Sequence, residues 1–259
     1  MPDYKEMDKL QKDLSPICRR KAMEWLIKVH QDYTMVPETL YLCFNLMDRV
    51  LCKTKVTSDK IMLLALTVVF IASKYQEIYP PDLYDFLEAS PQYYEPEEIL
   101  AYEIAVLKLL DYEALIVSPY LFLERYIDII DTHNKQLFFL AQFILEFSLF
   151  NKNFCKYANS LKAASCLYAA FKILKCEEPT DDYWDTYFRY FTGYGEKDLK
   201  SVLKMITNYL AAENEDSFEV LNIYEKFSKE PFEKVAPFLK DFLKVLIAKK
   251  KDKGGKGKK

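Results

Sequence analysis

The sequence predicts an all-α fold built as a tandem repeat, and three observations predict it. The first of only five glycines is Gly193, which removes the tight type I′ hairpin turns on which β-rich folds lean. Helix-start signals recur along the chain, each followed by apolar residues at helical spacing. The series of five such segments then occurs a second time, offset by roughly one hundred residues.

Ser15-Pro16 opens the first helix, on which Met23, Leu26, Ile27 and His30 share a face, with serine as cap and proline in the first turn. Val36-Pro37 opens the second, with Leu40, Cys43, Phe44, Met47 and Leu51 on one side. Thr57-Ser58-Asp59 precedes the third, whose ALTVVFIASKY at 65–75 is apolar on every side, the mark of a helix surrounded by others. Pro81-Asp82 and Pro96-Glu97-Glu98 start the fourth and fifth, so the first set runs from about 16 to 112. The pattern restarts at Ser118-Pro119, with helices near 118–130, 135–150, 157–176, 180–192 and 195–212. The third member of this set, LKAASCLYAAFKILK at 161–175, is again rich in small residues, which let neighbouring helices approach closely. The expected units are 15–114 and 117–213, followed by a helical extension over 214–248 and a lysine-rich tail over 249–259.

Composition excludes several classes of function. No glycine-rich phosphate loop or dinucleotide fingerprint can exist before Gly193, so the common nucleotide-binding enzymes are ruled out and no cofactor is expected. The six cysteines form no CxxC pair; four lie in apolar helical stretches as small hydrophobes, which suits a reducing, intracellular compartment. His30 and His133 stand alone, so no metal site is expected. No nucleophile or acid/base set emerges either; pairs such as Glu97-Glu98 and Asp181-Asp182 sit on caps and solvated faces, so no catalytic residue is expected. The longest apolar run, IMLLALTVVFIAS at 61–73, is too short to span a bilayer, and MPDYKEMDKL has no signal-peptide core, so the expectation is a soluble protein without membrane partners. The tail's net +6 leaves −9 for the rest of a chain whose total is −3, and an acidic body disfavours nucleic acid as a partner. That tail reads as a solvated end, with nuclear import and nonspecific anion binding as the alternatives.

Within the third helix, IASKYQEIYPP sets Lys74 and an aromatic in the last turn before two prolines, where the lysine either snorkels or is fixed at a contact. Glu103 interrupts another apolar face in AYEIAVLKLL. By themselves, two such charges on adjacent helices read as a structural ion pair.

The stretch ICRRKAMEWLIKVHQDYTMVPETLYLCFNLMDRVL, with LLALTVVFIASKYQEIYPPDLYDF and EILAYEIAVLKLLDYEAL, resembles the N-terminal cyclin box, closest to the mitotic A/B group. FTGYGEKDLKSVLKMITNYL and IYEKFSKEPFEKVA resemble the C-terminal box of the same proteins. The resemblance covers about 15 to 240 and implies a regulatory subunit, not itself an enzyme. That subunit would form a heterodimer with a cyclin-dependent serine/threonine kinase and activate it in cell-cycle control at G2/M, in nucleus and cytoplasm.

By the same resemblance, Arg19 and Asp48 form the box's structural ion pair and Leu63 is a core leucine. Lys74 and Glu103 are thereby freed to face the backbone of the kinase, with Ile71, Tyr75, Leu107 and Tyr112 as an apolar rim. A groove that docks Arg-x-Leu segments of substrates corresponds to Cys18, Ala22, Trp25, Ile61 and Met62. Lys21 and Lys28 stand there where the family has a branched aliphatic residue and an acid, so the docking of such short linear motifs is expected to be weak or altered. The alternatives are a transcription-associated cyclin, against which YQEIYPP argues, and a cyclin-fold transcription factor, whose zinc ribbon and basic surface find no counterpart here.

Overall fold

The computed structural model describes residues 4–130, 134–174, 184–212 and 221–244. His133, Cys176, Asp181-Asp182 and the lysine tail lie outside the described residues. All regular structure among the described residues is helical, and the chain divides into two compact units, Met1–Leu121 and Phe122–Lys259.

The first unit contains α1 (Tyr4–Leu10), α2 (Pro16–Asp32), α3 (Pro37–Lys53), α4 (Ile61–Gln76), α5 (Leu83–Ala89) and α6 (Pro96–Leu109). Ser15 and Asp82 act as the expected caps, whereas Thr57-Ser58-Asp59 do not, because α4 starts after Lys60 with no side-chain cap. Ser15 Oγ accepts from the Ile17 amide ahead of Pro16, while Asp82 and Asp85 cap each other's backbone amides in a capping box. Every residue of α4 from Leu63 to Ser73 is buried, and α4 packs against α2, α3, α5 and α6. That central placement is what an apolar surface on all sides requires.

α1 was not expected. Its one buried side chain is Met7, and a seven-residue helix is marginal alone; it persists by packing on α3. Gln11, just beyond it, donates to the Leu51 and Thr54 carbonyls at 2.7 and 2.6 Å and accepts from the Val56 amide. The C-terminus of α3, which has no glycine cap, is closed by this amide side chain instead.

The second unit takes most of α7 (Pro119–Ile130), whose start stays with the first unit because Tyr120 stacks on Tyr41. It continues with α8 (Lys135–Ser148), α9 (Asn159–Leu174), α10 (Arg189–Thr192), α11 (Glu196–Ala212) and α12 (Asn222–Phe227). A last helical stretch occupies 235–244. α9 packs on α8 and α11, repeating the central role of the third helix. The helix expected over 180–192 differs: its described part is a π turn, Trp184–Phe188, running into the single turn of α10. Gly193 ends it at φ 79°, a left-handed conformation that a Cβ would strain.

Among the described residues, each unit holds a buried ion pair, and both anions occupy the twelfth position of the second helix in their repeat. In α3, Asp48 accepts from Arg19 Nε and Nη2 at 2.9 and 2.8 Å. The resemblance implied this pair. In α8, Glu146 is fully buried and its two carboxylate oxygens accept from Lys226 Nζ at 2.8 and 2.9 Å. Gln142 adds a third donor at 3.0 Å. At the position of α7 that matches Arg19, the fourth of the helix, the second repeat has Phe122, and the extension beyond the repeat provides the cation instead. Cys43 and Cys166 are buried in the two cores, and burial pushes both thiols up, keeping them protonated.

Candidate functional site

Lys74 sits in the last turn of α4, which ends at Gln76 because Glu77 is extended and Pro80-Pro81 follow. Its ammonium lies 3.8 Å from the centroid of the Phe70 ring, one turn earlier. Phe70 is in turn held edge-on against Phe86 of α5. Lys74 is thus propped from below by an aromatic face.

The expectation that Lys74 and Glu103 are free of each other is corrected. Lys74 Nζ reaches Glu103 Oε1 at 2.5 Å, with the lysine side chain 41% and the glutamate 12% exposed. Arg19 and Asp48 form a separate pair deeper in the unit, so having one pair did not release the other. The reason is geometric: α4 packs on α6, which brings the end of α4 against the middle of α6. Because water still reaches and screens the lysine, the pair stabilises the fold by about 0–1 kcal/mol even though its glutamate is mostly covered. It retains hydrogen-bonding capacity, because an ammonium has three donors and a carboxylate about four acceptor positions.

Ile71 is corrected as well. It is 5% exposed and belongs to the core, since the central helix buries every side up to Ser73. Tyr75 and Tyr112 are exposed and Leu107 is half-buried, so these three remain accessible, with Tyr75 next to Lys74 and Leu107 one turn after Glu103 in the chain. Residues not anticipated there contribute more apolar area. Ile78 and Tyr79 are 87% and 92% exposed just after α4, and Leu100 and Ile104 are exposed along α6. The available signal was in α6 itself, which buries only Ile99 and Val106 among its apolar residues. Its remaining apolar side chains therefore exceed what the core uses, and adjacent exposed apolar residues of this kind mark interaction surfaces.

Glu77 is a further residue that sequence reasoning missed. Its Oε1 accepts from the Val36 amide at 3.0 Å and from the Thr39 hydroxyl. Val36 provides no side-chain cap for α3, so a carboxylate from the end of α4 caps that helix from outside, where a negative charge also meets the helix dipole favourably. The segment carrying Lys74, Ile78 and Tyr79 is pinned by this contact.

The expected docking groove is only partly on the surface. Ala22 is completely buried and Ile61 nearly so, which removes both from any groove, because each faces the core packing of α2 and α4. Cys18, Trp25 and Met62 are half-exposed. Trp25 Nε1 donates to the Ala89 carbonyl at 3.0 Å, tying α2 to the end of α5. Lys21 and Lys28 are exposed on the same side. A standard Arg-x-Leu peptide is expected to bind no more tightly to the native chain than to Trp25→Ala in a fluorescence titration. Tight binding that Trp25→Ala abolishes would show the groove to be functional.

A doubled helical unit with a half-exposed ion pair set among uncovered apolar side chains defines a protein-binding scaffold. Two family models match the chain in sequence order: "Cyclin, N-terminal domain" over residues 1–114 and "Cyclin, C-terminal domain" over 117–241. The chain belongs to the cyclin family. Among curated relatives, "G2/mitotic-specific cyclin cdc13" of Schizosaccharomyces pombe is 31% identical over 94% of this chain and 48% of that protein. "Cyclin-A1-2" of Oryza sativa subsp. japonica is 32% identical over 79% of the chain and 43% of that protein. "Cyclin-B1-4" of Arabidopsis thaliana is 31% identical over 90% and 59%. The chain spans about half the length of the curated relatives it matches. Among solved structures, a viral cyclin from herpesvirus saimiri superposes with a TM-score of 0.69 at 16% identity, over 82% of this chain and 92% of that one, a likeness of fold.

Proposed function

We propose that this chain is the non-catalytic subunit of a cyclin-dependent serine/threonine kinase and activates it in mitotic cell-cycle control. One observation carries the proposal: the Lys74–Glu103 pair stands ready-made within an exposed apolar surface of Tyr75, Ile78, Tyr79, Leu100 and Ile104. The spare donors of Lys74 suit backbone carbonyls of a partner, and the free oxygen of Glu103 suits backbone amides. Such charge-assisted bonds fix position, while the apolar surroundings supply the area removed from water. Because the two charges already neutralise each other, covering them desolvates a pair rather than two isolated ions.

In the kinase, docking of this kind holds the mobile αC helix inward so that its glutamate pairs with the ATP-binding lysine. The mitotic assignment draws on the fission yeast relative, whose name is "G2/mitotic-specific cyclin cdc13". Boxes over 15–114 and 117–213, and residence in both nucleus and cytoplasm, belong to the same reading.

Affinity capture with the native chain, followed by identification of what it retains, tests the proposal. A cyclin-dependent kinase recovered in stoichiometric amount is expected. Recovery of none, with other proteins retained instead, would contradict it.

A further inference from the structure

The chain leaves α6 through two consecutive non-glycine residues in the left-handed region, Asp111 at φ 56° and Tyr112 at φ 58°. L-residues avoid this conformation because Cβ crowds the following carbonyl, so something must hold it. Part of the hold is local. The Tyr112 amide returns to the Leu107 carbonyl at 2.8 Å and the Asp111 amide to Lys108 at 3.1 Å, closing the helix end.

The rest comes from α3. Lys53 Nζ donates to the Leu109 carbonyl at 2.9 Å and to Asp111 Oδ2 at 3.2 Å. Arg49, one turn earlier on the same helix, donates through Nη1 to the Glu113 carbonyl at 2.5 Å. Two cations thus bracket the C-terminal end of α6, where the helix dipole is negative and the Leu109 carbonyl takes its bond from Lys53. The residue between their attachment points is Tyr112, which is 64% exposed. A strained backbone that displays a large aromatic to solvent, clamped from a neighbouring helix on both sides, contributes nothing to the core.

We infer that Arg49 and Lys53 are positioning residues for the partner surface: they hold Tyr112 in its left-handed, outward conformation so that it is preorganised for the kinase. The inference rests on the function proposed above. Preorganisation raises affinity by removing an ordering cost at the moment of binding, so loss of the clamp and loss of the tyrosine remove the same contribution.

A double-mutant cycle on the kinase recovered by affinity capture tests this. Lys53→Met and Tyr112→Ala are each expected to weaken binding about tenfold, and the two together little more than either alone, since coupled residues are non-additive. Lys53→Arg, which keeps a cation, is expected to restore affinity to the native level. In the free chain, the Tyr112 amide is expected to exchange hydrogen faster in Lys53→Met, while α4 amides keep their rates. Additive losses in a chain that binds the kinase overturn the positioning role alone. A native chain that binds no kinase overturns both the inference and the reading beneath it.

Discussion

Lys226→Ala is expected to destabilise the second unit by about 3–5 kcal/mol, the range for removing one partner of a buried ion pair. The size follows from what is left behind. Glu146 is fully buried, both its oxygens are bound by Lys226, and Gln142 alone cannot replace an ammonium. Lys226 also lies 5.0 and 5.8 Å from the ring centroids of Phe227 and Phe232, so its removal loosens that aromatic contact as well. Replacing both members by apolar residues, Lys226→Met with Glu146→Leu, is expected to recover most of the loss, because well-packed apolar substitutes for a buried pair are often neutral or stabilising. Denaturant midpoints of the three chains, with hydrogen exchange to assign the change to residues 122–244, check it. A loss under about 1 kcal/mol in Lys226→Ala would mean that Glu146 finds another partner.

The second large effect concerns binding and leaves stability nearly untouched. The Lys74–Glu103 pair, with the lysine 41% exposed, contributes about 0–1 kcal/mol to folding. Truncating a charge that is covered at an interface costs about 2–5 kcal/mol of affinity. Lys74→Ala with Glu103→Ala is therefore expected to fold normally and to lose the kinase. The contrast with Lys226 is instructive, because the chemistry of the two pairs is the same and burial decides which property each serves.

Much of this was legible in the sequence. Ser15, Pro16, Pro37, Asp82 and Pro96 mark helix starts that the structure keeps, because caps and first-turn prolines act within a few residues of themselves. What escaped depends on distant partners. The Lys226–Glu146 pair joins residues 80 positions apart, and within IYEKFSKE a lysine reads as a solvated charge. Ile71 could not be assigned to rim or core, because a helix apolar on every side offers no face to choose from. The pairing of Lys74 with Glu103 was visible as the simplest reading and was set aside when Arg19 and Asp48 took the structural role; the two pairs coexist. α1 carries too little apolar surface to announce itself, and Glu77 gave no sign that it caps a helix 41 residues before it.

The surface around Lys74 and Glu103 is expected to switch on a kinase. Phosphoryl transfer by the captured kinase, measured with the native chain and with the Lys74→Ala, Glu103→Ala chain after confirming equal unfolding midpoints, tests it most directly. The native chain should raise the rate far above that of the kinase alone, and the double variant should leave it at the kinase's own level. Full activation by the folded double variant would contradict the account.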